Sequence, residues 1–257
     1  MKKTPLRSRS RPNRDGAWGP ARAGSFAPGD ATAWSTLATT FDGVDDYLEL
    51  GGQGGALRLS GSNGTVSVWI KMDDVSAGDS AKRIVDKSDG GGGANGYCLI
   101  VQPDGSVEGF IDGSKTVETS AGSITDATWH FVAWTWNGTN HIIYVDGSLD
   151  TTAADTSRPP SDTTGMRIGT WNHSTGREFQ GLMDEVSLWS TALSAANIAG
   201  IYNNGKPRDL AYLNPVGWWR MGDDDGGAGT TITDQGSGGN NGTLTNGPTF
   251  TLDTPQL

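Results

Sequence analysis

Cysteine, histidine and long apolar runs are scarce in this chain, and each shortage excludes something. The single cysteine, Cys98, leaves no partner for a disulfide within the chain. No run of 18 or more residues is apolar throughout, so no segment reads as a membrane-spanning helix. The basic opening MKKTPLRSRSRPNRDG lacks the apolar core that follows the start of a secretory signal, and reads as uncleaved. With one cysteine, that leads us to expect synthesis in a reducing cytoplasm. His130, His141 and His173 are the only histidines; none lies in HExxH, and no GxSxG marks a serine nucleophile. The Asn-x-Ser/Thr triplets at Asn63, Asn137, Asn172 and Asn241 carry little weight without an export signal.

What is abundant points to turns. Glycine numbers 39 and proline 11 in 257 residues, below the share that marks a disordered chain, and ten tryptophans argue for a packed core. Short hydrophobic runs separated by Gly, Asn and Asp predict an all-β protein. TVSVWIKM (65–72) puts Val66, Val68, Ile70 and Met72 on one face. GYCLIVQPDGSVEGFIDG (96–113) reads as two strands about the turn Pro103-Asp104-Gly105. TWHFVAWTWNGTNHIIYVDG (128–147) reads as a hairpin near Asn137-Gly138, and its first strand is apolar on both faces, as a central strand would be. GMRIGTW (165–171) and GLMDEVSLW (181–189) follow. One helix is predicted from a Ser194 cap, with Ile198, Ile201 and Tyr202 on one face and Asn204-Gly205 at its end. The tail returns to strand in PVGWWRM (215–221), TITD (231–234) and NGTLTNGPTF (241–250).

Charge is divided unevenly. Residues 1–22 hold Lys2, Lys3, Arg7, Arg9, Arg11, Arg14 and Arg22 against Asp15 alone, net +6, while the rest of the chain carries 12 basic and 28 acidic residues, net −16. Residues 1–38 show no hydrophobic periodicity and are expected to be a flexible basic arm, either docked on an acidic partner or simply solvated. Residues 39–257 form the expected domain.

FDGVDDYLEL (41–50), TVSVWIKM (65–72), WHFVAWTWNGTNHIIYVDG (129–147) and GLMDEVSLWSTALSAANIAGIYNNG (181–205), in this order, resemble the laminin-G-like members of the concanavalin A-like lectin/glucanase superfamily. The resemblance spans roughly residues 39 to 250. It implies a jelly-roll sandwich of two antiparallel sheets with loops at the rim, one short helix, and a lectin-like role. One departure is clear. The stretch WWRMGD…ITDQGSGGNNGTLTNGP precedes the FDG strand in many relatives and comes last here. Residues 212–250 are therefore expected to pair back onto the sandwich as a permuted strand set. Similar domains decorate surfaces in marine phages and bacteria. The resemblance thus suggests a non-catalytic protein of a virion surface, made in the host cytoplasm, whose basic arm grips capsid or other virion subunits and whose domain meets host glycans. Self-association stays open, as does the alternative of an extracellular or cell-surface bacterial carbohydrate-binding module.

The candidate sites are few. In GLMDEVSLW, alternation puts Asp184 on one face with Leu182, Val186 and Leu188, where a carboxylate needs a partner. The resemblance implies a structural calcium between this strand and FDGVDDY, held by Asp42, Asp45, Asp46 and Asp184; the plain alternative is that Asp184 accepts amides of the FDG loop. A glycan site is expected on two loops, from Trp171, Asn172, His173 and Arg177 on one and Lys87, Asp89, Asn95 and Tyr97 on the other, since sugars stack on rings and bond to amides and carboxylates. The plain alternative packs Trp171 at the sandwich edge. Asp223-Asp224-Asp225-Gly226, with Asp234, lacks EF-hand spacing and reads as a solvated turn. Gly91-x-Gly93-x-x-Gly96 is followed by a strand, which rules out a dinucleotide fold. The glycosidase pattern ExDxxE is absent, so no catalytic carboxylate pair is expected, and His130 reads as structural.

Overall fold

The computed structural model describes residues 35–51, 55–78, 80–90, 93–160, 164–171 and 173–256. The seven cations of the expected arm and Asn172 lie outside the described residues. In chain order the strands are β1 (Ala38–Asp42), β2 (Tyr47–Glu49), β3 (Gly64–Met72), β4 (Lys82–Lys87), β5 (Tyr97–Val101), β6 (Val107–Ile111), β7 (Ser114–Glu118) and β8 (Trp129–Trp136). Then come β9 (Asn140–Val145), β10 (Ser148–Ala154), β11 (Arg167–Ile168), β12 (Gln180–Trp189), helix α1 (Ala195–Tyr202), β13 (Gly217–Trp219), β14 (Thr231–Ile232), β15 (Gly242–Thr245) and β16 (Thr249–Thr251).

They make two sheets whose pairings are all antiparallel. The first runs β10-β9-β8-β3-β12-β1-β16, with β13 also on β12; the second runs β14-β15-β2-β11-β4-β5-β6-β7. Their inner faces share one core in which Val66, Val68 and Ile70 of β3 and Val132 and Trp134 of β8 join Tyr97, Leu99 and Val101 of β5. The two-faced apolar pattern of β8 has its reason here. Phe131 and Ala133 point to the opposite side, into a second cluster with Trp69, Ile198 and Ile201 that seats α1 on the back of the first sheet. Ser194 caps α1 by accepting from the Asn197 N–H while Asn197 reaches back to Ser194, and Asn203 closes it in the left-handed region at φ 48°, one residue before the expected stop.

β12 departs from simple alternation. Its pairing with β3 slips by one residue between Asp184 and Ser187, and Glu185 takes φ 50°. This β-bulge swaps faces midway. Leu182 packs behind the first sheet, whereas Val186 and Leu188 enter the inner core. Asp184 therefore does not share a face with Val186 and Leu188. The tail strands are split between layers: β13 and β16 pair with β12 and β1, and β15 pairs with β2. The body includes Ser35, ahead of the expected boundary at 39, which is buried and bonded to Asp184.

Candidate functional site

On the outer side of the second sheet, β2 and β11 lie side by side with Arg167 directly opposite Glu49. Alternation puts Tyr47 on the same face as Glu49. The Arg167 Nε donates to Glu49 Oε2 at 2.7 Å, and the guanidinium lies 4.4 Å from the Tyr47 ring centre. Beside them opens a cavity of about 260 Å³, lined by Tyr47, Arg167, Trp171, His173, Glu178 and Asp45, among others. The Tyr47 and Trp171 rings stand at its edge among charged and amide side chains.

Thr170, Trp171, His173, Ser174, Thr175 and Glu178 build one wall of it. Trp171 and His173 rest on Ser88 and Gly90: the Trp171 Nε1 donates to the Gly90 carbonyl at 3.4 Å, and His173 Nε2 lies 3.1 Å from the Ser88 carbonyl. The two loops named from sequence are thus brought together, but their residues divide. Trp171 and His173 line the cavity. Arg177 stands over the Trp171 ring at 5.3 Å, and Arg83 at 5.5 Å. Asp89 accepts both its bonds from Asn95 Nδ2 at 2.7 and 2.8 Å, so this pair ties its own turn. Lys87 and Tyr97 are corrections. Lys87 is buried and donates to the Thr164 carbonyl, and Tyr97 is buried in the inner core with its hydroxyl on the Leu57 carbonyl. Strand alternation turns both away from solvent. Sequence reasoning missed Tyr47 and Arg167, which lie 120 residues apart and meet only through sheet pairing.

Asp42, Asp45 and Asp46 converge so that one oxygen from each lies within 4.8 Å of the others. Asp42 Oδ1 accepts the Val44 amide, and Asp46 Oδ2 accepts the Asp42 amide at 3.0 Å. Asp46 Oδ1 is buried with no protein partner. Burial raises the Asp46 carboxyl pKa, the charges of Asp42 and Asp45 push the same way, and the Asp42 amide works against them. Carboxylate oxygens in this arrangement fit a hard cation such as calcium. Asn246 from the β15–β16 turn holds the Asp45 carbonyl at 2.9 Å, and both residues reach the cavity.

Asp184 is elsewhere. Asp42 pairs with Gln180, so Asp184 stands four residues further along β12, about 13 Å at strand rise. It cannot share an ion with the trio, nor does it take FDG-loop amides. It accepts the Glu185 amide at 2.7 Å and the Ser35 hydroxyl. The cluster around it includes Glu185, bonded by Trp218 Nε1 and Arg220, and Asp223, which accepts the Thr36 and Leu37 amides at 3.0 Å each. Arg220 also reaches Asp223 and Asp224. The acidic run at 223–225 is therefore partly structural: a 3-10 turn clamped to the start of the body.

His130 bridges Asp146 at 2.9 Å and the Thr125 hydroxyl at 3.0 Å, the order of a nucleophile relay. However, the adjoining hollow is lined by Asp104 and Asp126, whose carboxylates would oppose a developing oxyanion. Asp146 also accepts the Phe131 amide, so the chain's evident work is to pin the turn after β9.

The fold has known counterparts. A protein of Bacteroides ovatus described as a candidate carbohydrate-binding protein superposes with TM-score 0.67 at 23% identity, over 87% of this chain and 62% of its own. This chain thus spans about three fifths of that protein's length. The CBM40 of a Ruminococcus gnavus IT-sialidase, solved with α2,3-sialyllactose, gives 0.52 at 13%, over 64% of this chain and 96% of its own. Domain 4 of AbnA, a GH43 extracellular arabinanase of Geobacillus stearothermophilus solved with arabinotriose, gives 0.50 at 14%, over 64% and 76%. At these identities the likeness is one of fold. No curated protein matches the chain in sequence. The laminin G-type family profile matches residues 41–199, more than half the chain, a span that holds strands of both sheets, the acidic trio and the Tyr47–Trp171 wall. The chain belongs to the concanavalin A-like lectin/glucanases superfamily.

Proposed function

We propose that the domain is a non-catalytic carbohydrate-binding module whose site is the hollow between Tyr47 and Trp171. The observation that carries this reading is the pairing of two part-exposed rings with Arg167, Glu178 and Asn246 around one cavity of sugar-ring size. The solved neighbours with bound arabinotriose or sialyllactose support it as fold analogues. A glycan array followed by ligand-observed NMR titration tests it. Trp171→Ala is expected to weaken any binding about tenfold, the worth of one ring contact. Binding indifferent to Trp171 would remove the site, and a blank array would remove the function. Incubation with laminarin, agar and alginate is expected to release no reducing ends.

A structural calcium on Asp42, Asp45 and Asp46 is part of the same proposal, supported by the unpaired buried oxygen of Asp46. Calcium is expected to raise the melting temperature of the chelator-treated protein, and Asp46→Asn to abolish that rise. For location we favour the surface of a virus particle, with Lys2, Lys3, Arg7, Arg9, Arg11, Arg14 and Arg22 gripping an acidic capsid patch. Its support is the contrast between +6 in residues 1–22 and −16 in the remainder. Deletion of 1–34 should release the protein from salt-washed particles. Unchanged attachment would favour the bacterial surface module instead.

A further inference from the structure

We propose that the Arg167 guanidinium reads a carboxylate, making the site selective for an acidic sugar; this rests on the carbohydrate-binding reading above. Two features fix the group in place. Glu49 holds its Nε at 2.7 Å, and Tyr47 supports its plane at 4.4 Å. Both terminal nitrogens remain without a bond to any described residue, while the side chain is one quarter exposed and lines the cavity. A guanidinium held by Nε and stacked on a ring has lost most of its freedom before a ligand arrives, so its two terminal NH2 groups form a rigid fork. A fork of that geometry matches the two oxygens of a carboxylate better than the scattered hydroxyls of a neutral ring.

The surroundings favour the same choice. The body has only 12 basic residues against 28 acids. Arg167 nevertheless lines the cavity and Arg177 stands over its Trp171 wall with no ion-pair partner among the described residues, whereas Arg83, on the same ring, is buried and already paired with Asp86 at 3.4 Å. Of the acids on the wall, Glu178 is turned to the Gly176 amide at 2.7 Å and Asp45 belongs to the calcium trio. Neither is bonded to Arg167.

The test compares matched pairs by NMR titration on the full chain with calcium present: α2,3-sialyllactose against lactose, and trigalacturonate against its methyl ester. The expected result is that the acid of at least one pair binds about tenfold tighter than its neutral twin. In Arg167→Gln, checked for folding by circular dichroism, the two members should bind within about threefold of each other, and Arg167→Lys, which keeps the charge but not the fork, should fall between. Equal binding of both twins by the wild type, or a preference that survives Arg167→Gln, would overturn the inference. Neutral sugars bound as tightly as their acids, and in a Trp171-dependent way, would do so while leaving the carbohydrate site standing; binding that ignores Trp171 would instead remove the site.

Discussion

Gly109 shows how tightly single residues are set in this core. A Cβ there would come 2.6 Å from Trp134 Cε2, and one at Gly64 would overlap the Trp136 ring. These two rings lie 4.9 Å apart, fully buried, with the His141 ring stacked on Trp136. Nothing in the backbone demands glycine at either position; the large rings opposite do. We expect Gly109→Ala to cost about 1–3 kcal/mol through overpacking, whereas Gly61→Ala, where the nearest atom is 3.8 Å away, should change stability by less than about 0.5 kcal/mol. Urea unfolding followed by tryptophan fluorescence measures both, and equal costs at the two sites would show that the rings yield. The ten tryptophans announce a packed core at the level of composition, but which glycines they require depends on facing strands and cannot be seen along the chain.

At the scale of an element, β12 holds the least legible feature. GLMDEVSLW reads as regular alternation because a β-bulge has no residue signature here: Glu185 takes φ 50° without being glycine. By contrast the two-sided β8 and the capped α1 were readable, because burial on both faces and a Ser cap each leave a local pattern. The bulge places adjacent carboxylates, Asp184 and Glu185, in the interior at the gap where β1 gives way to β13. Burial pushes Glu185 up to about 7 in spite of Arg220, and raises Asp184 well above the usual carboxylate range, with the Glu185 charge adding to the effect. The groups facing Asp184 are Ser35 before β1, Glu185 on its own strand, and Asp223 after β13, with Arg220 and Asp224 behind. Because these folded-state pKa values are raised, the native state binds protons more readily than the unfolded chain. Their contribution is complete below the unfolded values near 4; the Glu185 part is lost as pH climbs through about 7, and the Asp184 part as pH climbs through that group's own raised value. Asp86, raised by burial to about 6, acts in the same direction, while His141, lowered by burial, acts in the opposite one as pH falls. Asp184→Asn isolates the cluster. Its melting temperature should exceed that of the wild type by several degrees at pH 8, with the gap closing by pH 5. A gap independent of pH would mean that Asp184 binds its proton no more tightly in the folded protein than in the unfolded chain.

For the whole molecule, the tail beyond α1 decides whether the sandwich closes. Residues 41–199 match the family, yet β13, β15 and β16 lie outside that span and pair with β12, β2 and β1. Trp219, Met221, Ile232 and Leu244 enter the inner core from this tail, and Trp218 and Arg220 cover Glu185. The apolar run GWW and the alternating GTLT mark these as strands in the sequence, but their distribution over two sheets follows from three-dimensional closure alone. The last residues add a lighter strap: Asp253 takes Lys71 at 2.6 Å and Trp129 at 2.9 Å, and Thr254 and Gln256 reach the Ser35 carbonyl. Two truncations separate the roles. A chain ending at Leu213 would expose the flanks of β12, β1 and β2 and leave buried Glu185 without its arginine, a combination that removes core area and strands a charge. It should show no cooperative melt and no near-ultraviolet signal. A chain ending at Leu252 loses only partly exposed bonds, each of modest net worth, and should melt cooperatively a few degrees below the full chain. If the shorter chain also folded cooperatively, the sandwich would be complete without its tail, and β13 to β16 would be an appendage on a finished domain.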